Sequence, residues 1–445
     1  MSGTFMEGLL ATIAERGRAL LDLDRGGRAV SQDPGELAEA LLSGRGEASG
    51  VALSRELLGA YEALDEAAKV AFLAHLVESF GPDPARLDAA ITAYRADPTE
   101  TTALELHSAA EPRRQELIRR LNLAPGGTSA LVAMRKFLLG QLKAHPQLKP
   151  LDSDFLHLLS SWFNRGFLVM RRIDWNTPAA VLEKIIRYEA VHAIRDWNDL
   201  RRRIDPPDRR CYGFFHPALL DEPLIFVEVA LARGTPEAIA PIIAAERTPL
   251  AAEEATTAVF YSISNCQVGL RGVSFGNFLI KQVVEELHRD LPHLETFVTL
   301  SPVPGFGRWL RDEAETPGAL GADERAAVEA LSRPGWQDDP EAAEALRRHL
   351  LPLAAHYFVE AKARGNPADP VARFHLGNGA RLERINWLGD RSEKGLRQAA
   401  GLMVSYLYAV PDIDRNHEAY AVRHEVVAAP GVTKLLNARS SRKKP

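Results

Sequence analysis

The sequence contains 445 residues with a formal charge of −5, and 46% of the residues are hydrophobic and 25% charged. A chain of this length and composition can form two or three domains with hydrophobic cores, which argues against extensive disorder. The charge provides no overall basic surface, which argues against nucleic acid as the main partner.

Residues 1–160 predict an all-helical domain. Segments such as ELAEALLSG, ELLGAYEALDEAAKVAFLAHLVESF and ARLDAAITAYRAD repeat apolar residues at spacings of three and four, as amphipathic helices do. The intervening GPDP, DPTE and APGG mark turns. No motif in this part carries chemistry, and we interpret it as an oligomerisation domain.

The second part of the chain, residues 161–445, predicts an α+β domain. Residues 222–232 (EPLIFVEVALA), 256–264 (TTAVFYSIS) and 294–301 (LETFVTLS) are rich in Val, Ile, Phe and Thr, as strands are. An amphipathic helix over 277–290 separates the last two strands, so this stretch predicts a βαβ-like unit. Residues 311–365 predict further helices. From residue 366 onward we expect a loop-rich segment that ends in a strand, GLMVSYLYAV.

The sequence shows no pattern for disulfide bonds, a metal site, a targeting peptide or a membrane span. Cys211 and Cys266 are too few for a disulfide framework, and the histidines show no metal-ligand spacing such as HExxH. The first residues are amphipathic with early acidic side chains, unlike a signal or transit peptide. No apolar run reaches the ~20 residues that cross a membrane. We therefore expect a cytoplasmic protein without a metal or a membrane partner.

A glycine-rich turn lies between the second and third predicted strands, with Gly269, Gly272 and Gly276 close to Arg271. Backbone N–H groups at such a strand-to-helix turn can bind an anion. The spacing fits neither G-x-x-x-x-G-K-[ST] nor G-x-G-x-x-G. RGVSFGNFL resembles the R-G-x-G-x-G/A signature of the GNAT acyltransferase superfamily, which binds the pyrophosphate of coenzyme A, although Ser274 occupies a glycine position. An ordinary helix N-terminus with turn glycines is the alternative.

A longer series of motifs is more specific. CYGFFHPALLDEPLIFVEVAL, FYSISNCQVGLRGVSFGNFLIKQVVEEL, FVTLSPVPGF, NPADPVARFHLGNGARLERINWLGD and GLMVSYLYAV occur in this order, and together they resemble the malonyl-CoA decarboxylase family. The resemblance implies a helical domain followed by a GNAT-like catalytic domain. It also implies decarboxylation of malonyl-CoA to acetyl-CoA in fatty acid metabolism, and a homo-oligomer, either dimer or tetramer.

The same resemblance assigns candidate residues. The family's L-S-P-x-P-G-F motif places its catalytic serine at Ser301, and F-H-L-x-N-G-A places its catalytic histidine at His375. The S-I-S motif places Ser262 near the substrate, and Tyr408 corresponds to a tyrosine near the active site. The implied coenzyme A loop comprises Arg271, Gly272, Val273, Ser274, Phe275, Gly276 and Asn277.

The reaction's chemistry is consistent with these residue types. Loss of CO2 from a malonyl thioester leaves an enolate for which the thioester carbonyl is the electron sink, so no cofactor is needed beyond the coenzyme A of the substrate. Hydrogen-bond donors must stabilise the oxyanion, and a group that titrates near neutrality must protonate carbon. We expect His375 to donate that proton, directly or through a hydroxyl, and Ser301 to contact the malonyl carboxylate.

Two other functions fit the same sequence. The first is transfer of an acyl group from a coenzyme A thioester to an amine, and the second is a non-catalytic coenzyme A-binding interaction protein. The basic cluster RRRIDPPDRR at 201–210 is interpreted as a solvated or interdomain surface, with contact to the 3′-phosphate of coenzyme A as the alternative.

Overall fold

The computed structural model describes Thr12 and residues 33–43, 46–219, 221–273, 275, 279–363 and 366–442. The chain forms two compact units. The first comprises Met1–Val169 with Phe215–Leu224 and Gln267–Phe275, and the second comprises Met170–Phe214, Ile225–Cys266 and Gly276–Pro445. The glycine-rich turn thus belongs largely to the first unit.

The first unit is helical, as predicted. Its α-helices are α1 (Pro34–Leu42), α2 (Glu47–Ala63), α3 (Glu66–Ser79), α4 (Pro84–Ala96), α5 (Glu100–Ala110), α6 (Arg113–Leu121), α7 (Gly127–Gln141) and α8 (Lys149–Trp162). Side chains of Asp33, Asp65 and Asp83 accept backbone N–H groups at the starts of α1, α3 and α4, which satisfies donors that have no partner within a helix. Leu73 and Leu117 are completely buried between these helices.

A mixed sheet forms the core of the second unit, with strands in the order β1-β2-β3-β4-β5-β10-β6, and β9 also pairs with β10. Its strands are β1 (Val169–Ile173), β2 (Arg209–Phe215), β3 (Pro223–Ala232), β4 (Thr257–Asn265), β5 (Thr296–Thr299), β6 (Ser301–Pro302), β9 (Arg381–Asn386) and β10 (Met403–Leu407). A separate two-stranded sheet joins β7 (Lys362–Ala363) and β8 (Asn366–Pro367). The predicted α+β class is confirmed.

The helices of this unit are α9 (Ala179–Tyr188), α10 (Trp197–Ile204), α11 (Ala240–Ile243), α12 (Leu279–Asp290), α13 (Phe306–Glu315), α14 (Ala322–Ala330), α15 (Pro340–Val359), α16 (Pro370–Gly377), α17 (Glu393–Ala399), α18 (Ile413–Arg423) and α19 (Pro430–Arg442). None of the helices in the described part of the chain combines the length and apolarity needed to cross a membrane.

The predicted βαβ unit is confirmed. Strands β4 and β5 are parallel, with residues 257–260 paired to residues 296–299, and α12 connects them. The apolar face of α12 is fully buried at Ile280, Val283 and Val284, as its periodicity predicts. Beyond Phe260 the parallel ladder ends, whereas β4 continues to Asn265 along β3. Strand β4 therefore extends beyond the carboxyl end of β5.

The segment from residue 366 onward is more regular than predicted. It contains α16, β9, α17, β10 and two further helices. The loop prediction was wrong for α16 because its start is encoded by Asp369 and Pro370, a cap and a first-turn proline, and not by a long apolar pattern. With only eight residues, α16 is too short to show a clear period.

Candidate active site

Ser301 and His375 lie side by side in the second unit, although they are 74 positions apart in sequence. The Ser301 Oγ and His375 Nε2 atoms are 3.0 Å apart, and both residues are buried. Ser301 is the first residue of β6, one residue beyond the end of β5, and His375 occupies the last turn of α16. The fold thus brings together the two residues that the sequence assigned to catalysis.

Two tyrosines of β10 and its C-terminal extension fix the imidazole ring of His375. The Tyr406 ring stacks on it with centroids 4.6 Å apart and planes 22° apart, and the Tyr408 hydroxyl lies 2.8 Å from Nδ1. Complete burial lowers the pKa of His375 to about 3, because the charged form loses its hydration. The ring is therefore neutral in the free protein at neutral pH.

The hydrogen-bond partners of the serine–histidine pair favour one tautomer of His375. Ser301 Oγ donates to Thr299 Oγ1 at 2.9 Å, and Thr299 Oγ1 also accepts the Tyr406 backbone N–H at 3.0 Å. With the Ser301 proton directed to Thr299, the tautomer that pairs every group has His375 Nε2 donating to Ser301 and Nδ1 accepting from the Tyr408 hydroxyl. This assignment leaves an Nε2–H group beside the serine oxygen.

A cavity of about 250 Å³ lies beside the part of β4 that extends beyond β5. Ser301 and His375 line it together with Ser262, Val191 and Phe374. This volume is below the ~300–1,000 Å³ that is typical of sites for drug-sized ligands. The cavity therefore has room for a small group such as a malonyl moiety, and not for a whole nucleotide.

Ser262 also lines this cavity, and its hydroxyl proton is directed to a carboxylate. Its Oγ is 2.8 Å from both carboxylate oxygens of Glu189, and Ser264 Oγ donates to Glu189 Oε2 at 3.0 Å. Glu189 follows α9 and is buried. Sequence reasoning missed Glu189, because a single glutamate after a helix carries no signal until the fold brings β4 beside it.

The described part of the glycine-rich turn packs within the helical unit. A Cβ atom on Gly269 would lie 2.0 Å from the Val132 carbonyl oxygen, so this glycine allows close backbone approach to α7. Arg135 Nη1 donates to the Gly269 carbonyl at 2.8 Å. Gly272 adopts a left-handed conformation with φ of 86°. The turn is thus anchored by α7.

The other residues of the predicted coenzyme A loop divide into two groups. Arg271 is exposed, Val273 is buried and Phe275 is half-buried. Ser274, Gly276 and Asn277 lie outside the described residues. The assignment of this loop to pyrophosphate binding stays a prediction.

The interpretation of the basic cluster at 201–210 as a solvated surface was wrong for two of its arginines. Arg203 and Arg209 are 6% and 3% exposed. Arg203 contacts Glu228, and Arg209 donates to the Ile242 carbonyl at 2.7 Å. Buried partners of opposite charge or polarity explain the difference, and a sequence pattern does not show them.

Fold and site together define a class of α+β protein. A helical unit accompanies a mixed-sheet unit, which holds a buried serine–histidine pair just beyond the carboxyl end of the parallel strand β5. Family models agree with it. The model described as the malonyl-CoA decarboxylase C-terminal domain matches residues 166–445, and the model of the N-terminal domain matches residues 80–163. The chain belongs to the malonyl-CoA decarboxylase family, which confirms the resemblance seen in its motifs.

Solved structures and curated relatives give the same result. The chain is 63% identical to malonyl-CoA decarboxylase from Rhodopseudomonas palustris, with a TM-score of 0.89 over 91% of this chain and 100% of that one. For malonyl-CoA decarboxylase from Agrobacterium vitis the identity is 57% and the TM-score 0.86, over 91% and 99% of the two chains. A mitochondrial malonyl-CoA decarboxylase from Anser anser anser is 36% identical, over 86% of this chain and 83% of the relative. Membership of the GNAT superfamily stays a prediction.

Proposed function

We propose that this chain decarboxylates malonyl-CoA to acetyl-CoA and CO2 with Ser301 and His375 as catalytic residues. The observation that carries the proposal is the 3.0 Å contact between Ser301 Oγ and His375 Nε2 at a cavity sized for an acyl group. Family membership and the identity to named decarboxylases support the same substrate.

The reaction breaks the bond between the malonyl carboxylate and the α-carbon. The electron pair of that bond moves into the thioester to form an enolate, CO2 leaves, and a proton is added to the α-carbon. A donor beside the enolate oxygen lowers the barrier, and one such donor is worth about 3 kcal/mol in other enzymes. The His375 Nε2–H group and the Ser301 hydroxyl are the candidate donors here, because they are prearranged and shielded from water.

Protonation of the α-carbon requires an acid, and the free protein holds His375 neutral. An anionic malonyl carboxylate that enters the cavity favours the charged imidazolium and so raises the pKa of His375. Substrate binding would thus favour protonation of His375, and that proton is later transferred to the α-carbon. Tyr408 stabilises the ring position through Nδ1, which keeps Nε2 directed at the reacting groups.

The remaining predictions extend the proposal. Arg271, Gly272 and the following residues to Asn277 would bind the coenzyme A pyrophosphate, supported by the left-handed Gly272. No cofactor beyond coenzyme A would be needed, because the thioester itself accepts the electron pair. The helical region would mediate a dimer or tetramer, supported by exposed apolar side chains at Tyr94, Leu104 and Leu123; light scattering of the purified protein measures this.

One assay tests the activity. The purified protein is mixed with malonyl-CoA without an amine acceptor, and acetyl-CoA and CO2 are measured over time. Equal amounts of both products support decarboxylation. If malonyl-CoA is unchanged, the proposal fails; if products form only when an amine is added, acyl transfer replaces it.

A further inference from the structure

Side chains hold a short irregular segment beside the cavity. Residues 190–193 follow α9 and belong to no helix or strand. Glu189 Oε1 accepts the N–H groups of Val191 at 2.8 Å and of His192 at 2.7 Å. The carboxylate is itself held by Ser262 on β4. The backbone N–H groups of this segment are therefore linked to β4, which borders the cavity, through the Glu189 carboxylate.

Two basic side chains donate hydrogen bonds to the carbonyl groups of the same segment. Lys394 Nζ donates to the carbonyls of residues 190 and 191 at 3.0 and 3.2 Å. Arg203 donates to the carbonyls of residues 192 and 193 at 2.7 and 3.1 Å. Arg203 is buried and also contacts Glu228 on β3, so its position is fixed by the sheet.

These contacts make the segment a fixed wall and not a mobile loop. Outward movement would separate backbone N–H and C=O groups of the segment from their side-chain partners. Of these partners, Glu189 and Arg203 are buried and Lys394 is exposed. Bonds to charged partners are also stronger than those between neutral groups. Residues 190–193 therefore form a wall of the cavity that resists displacement by a ligand.

Val191 is the residue of this wall that lines the cavity together with Ser301 and His375. Its branched side chain has few rotamers, so it cannot make room by rotating. At about 250 Å³, the cavity is small enough that an added methyl group on an acyl ligand must contact one of its walls.

We propose that Val191 is a specificity-determining residue, held by Glu189, Arg203 and Lys394, that excludes malonyl thioesters with a branch at the α-carbon. This inference rests on the proposed function, because it concerns which acyl group reaches the serine–histidine pair. A hydrophobic wall typically distinguishes ligands that differ by one methyl or methylene group by roughly 10–200-fold.

The experiment compares kcat/KM for malonyl-CoA with kcat/KM for racemic methylmalonyl-CoA, which carries the smallest α-branch. In the wild type we expect malonyl-CoA to be strongly preferred. In Val191→Ala the ratio of kcat/KM for methylmalonyl-CoA to kcat/KM for malonyl-CoA should rise by about tenfold or more. In Val191→Ile the ratio should fall below that of the wild type.

Lys394→Met tests how firmly residues 190–193 are held, without changing the Val191 side chain. It retains the aliphatic stem but removes the ammonium that holds two carbonyls, so the ratio should rise several-fold while residue 191 remains valine. Val371→Ala is the matched control, since Val371 lines the same cavity from α16. A ratio that rises for Val191→Ala and Lys394→Met but not for Val371→Ala supports the inference.

Three results would overturn it: a wild type that accepts both thioesters equally, an unchanged ratio in Val191→Ala, or the same rise in Val371→Ala. Each of these presupposes a wild type that decarboxylates malonyl-CoA. A wild type without that activity refutes the proposed function instead, so the two failures are distinct.

Discussion

At the scale of single residues, the active-site proposal depends on the chain Tyr408–His375–Ser301–Thr299, in which each polar side chain contacts the next. The sequence supplied Ser301, His375 and Tyr408 through motif resemblance. Thr299 was not predicted. It lies two residues before Ser301, but its contact with the Tyr406 backbone N–H appears only when β5 and β10 are adjacent.

Removal of either member of the serine–histidine pair tests its role. Ser301→Ala and His375→Asn should each lower turnover of malonyl-CoA by about tenfold or more, in line with losses for acid–base groups. Circular dichroism and a cooperative thermal transition provide the control for folding. Wild-type rates in both variants would remove the pair from the mechanism.

The burial of His375 also predicts a pH-dependent stability. Its pKa is about 3 in the folded protein and close to 6.5 in an unfolded chain, so between these values the unfolded state binds more protons and stability falls as pH falls. The loss should reach about 2 kcal/mol between pH 6.5 and 5. The stability difference between wild type and His375→Asn, measured by urea unfolding, should change by this amount; a pH-independent difference contradicts it.

At the scale of elements, Asp369 begins the helix that carries His375. Its Oδ1 accepts the N–H groups of Val371 and Ala372 at 2.9 and 3.0 Å, and its Oδ2 accepts the Tyr357 hydroxyl at 3.2 Å. Burial raises the pKa of this carboxyl group above its usual value. One aspartate therefore fixes both the start of α16 and its contact with α15.

Substitution of Asp369 should destabilise the protein in a graded way. Asp369→Ala leaves the buried N–H of Ala372 and the half-buried N–H of Val371 without their acceptor, and should cost about 2–4 kcal/mol. Asp369→Asn keeps the acceptor for the cap and should cost less, as should Tyr357→Phe, which removes a single bond. Urea unfolding measures all three, and equal losses for Asp369→Ala and Asp369→Asn would contradict the capping role.

Close packing between α7 and the glycine-rich turn gives a second prediction at this scale. Gly269→Ala should destabilise the protein by about 1–3 kcal/mol, because the new Cβ atom would meet the Val132 carbonyl. Gly140→Ala in α7 is the matched control: nothing lies within 4 Å of its Cβ position, and alanine favours a helix by about 1 kcal/mol. Thermal melts should shift in opposite directions for the two variants.

At the scale of the whole molecule, the sequence predicted the helical first part, the βαβ unit and the α+β class, because each follows from local periodicity and from β-branched runs. It did not predict β9 or α16, which lie in short segments without a clear period. It also misjudged Arg203 and Arg209, since a basic run looks the same whether its charges face water or buried partners.

The sequence by itself determined which residues could carry the chemistry: a serine before a strand-ending proline, a histidine in FHLGNG and a glycine-rich turn, each recognisable within a few positions. Only the tertiary structure decided that Ser301 and His375 lie 3.0 Å apart and that Glu189 accepts a hydrogen bond from Ser262. It also decided that Glu189, Arg203 and Lys394 hold the segment bearing Val191. The physical reason is that motifs are local in the chain, whereas burial, pKa shifts and cavity walls arise from contacts between distant segments.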